Sequence, residues 1–110
     1  MEFLKQDMVL NEIIRSITHG EKKAGDMILS RDYDLAKKQM GMLYKVLTEK
    51  GIVSRTESNY YFLTENCVEN AQEMYFEKII DILQKVNVLA ASANISAELL
   101  LDVFKNEIKD

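Results

Sequence analysis

Residues 34–63 read DLAKKQMGMLYKVLTEKGIVSRTESNYYFL, and the change of period inside this stretch decides the fold. Plotted at about 100° per residue, Leu35, Ala36, Met40, Leu43, Val46 and Leu47 share one arc. Lys37, Lys38, Gly41, Lys45 and Thr48 share the opposite arc. The pattern predicts an amphipathic helix over Leu35–Lys50, with Asp34 as its cap and Gly51 as its stop. Beyond Gly51 the helical period is lost. Ile52-Val53-Ser54-Arg55-Thr56 and Tyr60-Tyr61-Phe62-Leu63 are β-branched and aromatic, and polar Glu57-Ser58-Asn59 separates them. Two such runs around a polar turn predict a β-hairpin.

Upstream, Leu4, Met8, Val9, Ile13 and Ile17 recur at helical spacing within a segment from Phe3 to His19, and Gly20 follows as a stop. Residues 21–26 read as a polar turn, and Met27-Ile28-Leu29 as a single strand rung. Ser30–Tyr33 fits a helix start, a short helix or a loop. Downstream, a long helix is expected from about Val68. In it Tyr75, Ile79, Ile82, Val86, Leu89 and Ala93 alternate by four and three residues, the 3.5-residue rhythm of a coiled-coil seam. Asn94 interrupts that rhythm, and Ser96 is placed to cap a last helix over Ala97–Ile108, with Leu100, Val103 and Phe104 facing inward and Glu98 in its first turn.

A helix closed by glycine and followed at once by a short β-ribbon is the outline of a winged helix. The expected fold is mainly α with a small β-hairpin. A winged helix-turn-helix domain would occupy residues 1–66 and a C-terminal helical dimerisation region residues 67–110. The seam could pack on the N-terminal helix or on a second copy. The second copy is favoured, because the winged-helix segment closes its own core and two-fold dimers are the commonest oligomers.

The chain has 110 residues, 47% hydrophobic and 29% charged, enough for one core and unlike a disordered composition. It has no proline, so helices can run uninterrupted. No apolar run reaches the roughly 18–20 residues of a membrane span, and the first residues lack the pattern of a secretory leader, so a cytoplasmic protein without membrane contact is expected. One cysteine, Cys67, forms no internal disulfide. It reads as a small core residue, and the single His19 as a partner for a helix C-terminus. One cysteine and one histidine cannot build a common zinc site, and neither a metal loop nor a phosphate-binding glycine loop is present. No catalytic constellation, cofactor or metal is expected.

The net charge of −4 opposes binding to a polyanion, but the charge is unevenly distributed. Residues 31–63 hold six bases against four acids, and residues 64–110 hold four against nine. Local field governs docking, and the locally basic stretch contains the lysine-bearing helix. Three lysines on a solvated helix face are also common without any ligand.

The run Ile17-Thr18-His19-Gly20-Glu21-Lys22-Lys23-Ala24-Gly25-Asp26-Met27-Ile28-Leu29-Ser30 resembles the start of the GntR-family DNA-binding domain. Leu43-Tyr44-Lys45-Val46-Leu47-Thr48-Glu49-Lys50-Gly51-Ile52-Val53 resembles the end of that family's recognition helix and its entry into the wing. Ala93-Asn94-Ile95-Ser96-Ala97-Glu98-Leu99-Leu100 is similar to the small YtrA-type subgroup, which ends in a short helical dimerisation region. Leu29 stands where the family has proline, and Arg31 falls one place short of its phosphate-contacting arginine. Gln39 and Met40 replace a Thr-Val pair, the wing tip lacks glycine, and the helix-turn-helix is about five residues short. The resemblance implies a homodimeric repressor on a two-fold symmetric DNA site. Lys37, Lys38 and Lys45 would enter the major groove, with Gly41 allowing close approach, Arg31 on the backbone and Arg55 acting from the wing. Tyr75, Ile79, Ile82, Val86 and Leu89 would join the two copies. Residues 67–110 leave no room for a separate effector domain, so no small-molecule effector is expected. The alternative is a winged-helix dimer that has lost DNA binding and serves as a protein–protein interaction module.

Overall fold

The structure, a computed structural model, describes the backbone of residues 2–108 and the side chains of residues 5–108. It divides into two compact units, residues 1–75 and 76–110.

The first unit opens with helix α1 (Glu2–Thr18). Its buried face is Leu10, Ile13, Ile14 and Ile17. Val9 is half-buried, whereas Met8, expected on the inner face, is 63% exposed. The apolar stripe winds away from the core at that turn. Leu4 lies outside the described side chains. A Schellman closure ends α1: Gly20 takes φ +78°, Glu21 N–H reaches Ser16 C=O at 2.8 Å and Gly20 N–H reaches Ile17 C=O at 3.2 Å. His19 Nδ1 lies 2.9 Å from Arg15 C=O, at the helix C-terminus as expected.

A polar turn then leads to Met27, which forms an isolated antiparallel bridge with Phe62. The expected strand rung is therefore real. Ser30–Asp32 is a single 3₁₀ turn with no buried residue. Helix α2 (Lys37–Glu49) starts two residues later than its pattern suggested. Its N-cap is Ala36, whose N–H is accepted by the Gln39 side chain at 3.2 Å. Asp34 caps nothing. It lies outside the helix, and its carboxylate accepts from Lys5 Nζ at 2.8 Å instead. Met40, Leu43 and Leu47 are buried, Leu35 and Val46 half-buried, and Ala36 is exposed because it lies before the first turn. Gly51, at φ +73°, closes α2 by a second Schellman motif, with Ile52 N–H on Leu47 C=O at 2.9 Å.

The hairpin is β1 (Val53–Arg55) and β2 (Tyr61–Leu63), antiparallel, with Val53 opposite Leu63 and Arg55 opposite Tyr61. Thr56 N–H reaches Tyr60 C=O at 2.8 Å, which leaves Glu57-Ser58-Asn59 as a three-residue loop. Such loops need a left-handed third residue, and Asn59, at φ +66°, supplies it where glycine is usual. Strand β2 also pairs along its other edge, where Ile28 N–H bonds Tyr61 C=O at 2.9 Å and Leu63 N–H bonds Asp26 C=O at 2.8 Å.

Helix α3 (Cys67–Ser92) contributes Cys67, Ala71 and Met74 to the same core as Ile28, Ile52, Val53 and Leu63. Burial pushes the Cys67 thiol above its ordinary pKa, as suits a core residue. Gly51 C=O accepts from both Thr64 Oγ1 at 2.6 Å and Asn70 Nδ2 at 2.9 Å, so the foot of α2 is tied to the start of α3.

In the second unit, α3 ends at the predicted break. Asn94 takes φ +56°, and Ile95 N–H reaches Ala90 C=O at 2.8 Å, a third Schellman closure. Ser96 Oγ caps helix α4 (Ala97–Glu107) by accepting from Leu99 N–H at 3.2 Å. Ala90 is buried, and Val86 and Leu100 are half-buried. Val103 and Phe104 were expected to face inward but are 50% and 54% exposed. A pair of helices cannot enclose apolar surface on every side, so these residues line an open groove instead.

Candidate nucleic-acid interface

The six residues assigned to DNA from sequence all belong to the first unit and are all exposed. Lys37 and Lys38 stand in the first turn of α2, Gly41 and Lys45 one and two turns on. Lys37, Gly41 and Lys45 form an i, i+4, i+8 row spanning about 12 Å along the axis. Their face is opposite the buried Met40, Leu43 and Leu47, so the core fixes which way it points.

The pairing of the cations sharpens this picture. Arg15 is held by both Glu12 and Glu21 at 2.9 Å, which raises its pKa and lowers that of Glu12. Lys5 is held by Asp34 and Lys85 by Asp81. Among the described residues, Arg31, Lys37, Lys38 and Lys45 make no ion pair and no side-chain hydrogen bond. An unpaired surface cation is ready to meet phosphate, with no protein partner to give up first.

Two clefts flank Tyr44, of about 620 and 550 Å³, and Ser30, Arg31 and Tyr44 line both. The larger extends to Lys37 and Gly41 of α2, the smaller to Asn59, Tyr60 and Tyr61 of the hairpin. Arg31 therefore joins the helix side of the surface to the wing side. Tyr44 holds the two sides in register: its ring stacks on Tyr61, and its hydroxyl donates to Ile28 C=O at 2.7 Å. Burial raises its phenol pKa.

Arg55 is less available. It ends β1, and its guanidinium donates from Nε at 2.9 Å and from Nη2 to Asn59 Oδ1 at the hairpin tip. Sequence reasoning assigned no role to the cleft-lining Tyr60 or to Met42, which is 46% exposed on the same helix. For Met42 a signal was legible, since it lies four residues after Lys38 on the face away from the core.

The five residues assigned to self-association separate. Tyr75 packs on the core of the first unit, and its hydroxyl bonds the Asn11 side chain. Ile79, Ile82, Val86 and Leu89 lie in the second unit, and all but half-buried Val86 are 49–70% exposed. There Ile82, Leu83, Val86, Leu100, Leu101 and Phe104 line an apolar groove of about 650 Å³.

Among the described residues there is no cluster of metal-ligating side chains, and no helix is long and apolar enough to cross a membrane. No protein-family profile and no curated protein matches the sequence. Solved structures do match. A GntR family transcriptional regulator from Listeria monocytogenes is 17% identical and superposes at a TM-score of 0.69, covering 94% of each chain. A protein assigned to the GntR transcriptional-regulator family, from Bacteroides thetaiotaomicron, is 13% identical with a TM-score of 0.74, covering 92% of this chain and 93% of that one. The fold is the winged helix-turn-helix with C-terminal helices that these two proteins share.

Proposed function

We propose that the chain is a DNA-binding transcription regulator of the GntR type, with residues 1–66 as the DNA-binding domain and residues 67–110 as the dimerisation region. It acts in the cytoplasm as a homodimeric repressor, neither an enzyme nor dependent on a cofactor or small-molecule effector. Each copy places α2 in a major groove, with Lys37, Lys38 and Lys45 against phosphates and base edges, Arg31 on the backbone and Arg55 at the wing. The dimer reads two half-sites about one helical turn, or a multiple of it, apart.

The observation that carries this reading is the row of exposed, unpaired lysines on α2, beside a wing, in a fold shared with two GntR-family structures. The exposed Ile79, Ile82 and Leu89, beside half-buried Val86, support pairing of the second units. A gel shift on the promoter of its own gene, with random duplex as competitor, tests it. Retarded promoter DNA supports the reading, and equal affinity for both or for neither rejects it.

One observation favours a protein-interaction module instead. The first helix of the helix-turn-helix is reduced to the three-residue turn Ser30–Asp32, which buries nothing. Failure to bind any duplex, with the dimer intact in light scattering, selects that second reading.

A further inference from the structure

Gly20, Gly25 and Gly51 all have positive φ, so each has a backbone reason to be glycine. Gly41 has none, because it lies inside α2. A Cβ built there meets no atom within 4 Å. Alanine would fit and would favour the helix, since glycine in a helix interior is unfavourable relative to alanine. Among the described residues no atom approaches the place of the missing side chain, so the backbone of α2 is open there to an outside molecule.

Gly41 stands between Lys37 and Lys45 on one row of the exposed face, and Met42 follows Lys38 on the next row. Met42 is an apolar side chain 46% exposed among cations. Single exposed apolar residues are common, but the adjoining glycine sets this one apart. We propose, resting on the DNA-binding reading above, that α2 meets the floor of the major groove backbone-first at Gly41, and that Met42 reads thymine through its 5-methyl group. That methyl is the apolar handle the groove offers, and the flanking lysines complement the phosphates on either side.

The test uses the full chain and a duplex that the chain itself enriches from a random-sequence pool. Binding is measured on that duplex and on copies in which single thymines are replaced by deoxyuridine, which lacks only the methyl group. At one position per half-site the replacement weakens wild-type binding about fourfold, and Met42→Ala binds both duplexes alike. Gly41→Ala melts at a higher temperature than wild type yet binds the duplex about tenfold more weakly. Tight binding by Gly41→Ala, or indifference of the wild type to every deoxyuridine, overturns the proposal and leaves the DNA-binding reading standing. A pool that yields no enriched duplex overturns both.

Discussion

The rings of Tyr44 and Tyr61 lie parallel, 6° apart with centroids separated by 3.9 Å, and so fasten α2 to the hairpin. The Tyr44 hydroxyl extends the same fastening to Ile28 C=O. Tyr44→Phe keeps the stack and loses the hydrogen bond, and should cost about 1 kcal/mol. Tyr44→Ala loses both and should cost about 2–3 kcal/mol. Urea unfolding midpoints at constant slope check the order. Equal stability of the two variants would mean that the stack contributes nothing.

Lys37→Ala with Lys38→Ala removes two exposed, unpaired charges and should leave the melting temperature nearly unchanged. On duplex DNA the slope of log affinity against log salt should flatten by about 1.8, the share of two phosphate contacts. A slope equal to wild type would remove both lysines from the interface.

Alanine should act in opposite directions at two glycines of one protein. At Gly41 it should stabilise by about 1 kcal/mol. At Gly51 the backbone is left-handed, and the new Cβ would lie 2.9 Å from Asn70 Nδ2, which donates to Gly51 C=O. The cost there should reach about 2 kcal/mol. Thermal melts of the two variants beside wild type decide it.

Leu89 is 70% exposed and Ile82 58%. If a second copy covers them, Leu89→Asp or Ile82→Asp buries an unpaired charge at the interface and should give monomers at about micromolar concentration. Light scattering coupled to size exclusion measures this directly, and monomeric wild type would end the pairing proposal.

Alkali should loosen the fold. Burial holds the Cys67 thiol and the phenols of Tyr33, Tyr44 and Tyr75 above their ordinary pKa values. Each folded pKa exceeds the unfolded one, so the stabilisation is complete below the unfolded values and is lost as pH rises through the folded ones. Stability should fall from about pH 9 upward. A thiol reagent at about pH 8 should label Cys67 only after denaturant is added. Rapid labelling of native protein would place Cys67 outside the core.

Much of this architecture was legible in the chain. Helical spacing with Gly20, Gly51 and Asn94 located three helix ends, because left-handed closure has few competent residues. The aromatic and β-branched run located the hairpin. The start of α2 was misjudged because Asp34 is equally able to cap a helix and to pair with a distant cation. Lys5, 29 positions away, cannot be seen from local sequence. Met8 and Phe104 were misplaced for a related reason: a periodic apolar face says that something covers it, not how far along that cover extends. The lysine face was read correctly as exposed. The clefts that join Arg31 to the wing depend on the approach of Tyr44 to Tyr61, a contact between elements that no spacing encodes.

Two donors, Thr64 Oγ1 and Asn70 Nδ2, converge on the single carbonyl oxygen of Gly51. Opening either the end of α2 or the entry to α3 strands at least one of them. The amides of Gly51, Ile52 and Thr64 should therefore exchange with solvent in concert, as one cooperative block with α2. The C-terminal end of α2 and the start of α3 thus share one carbonyl, so a disturbance at either is felt at the other.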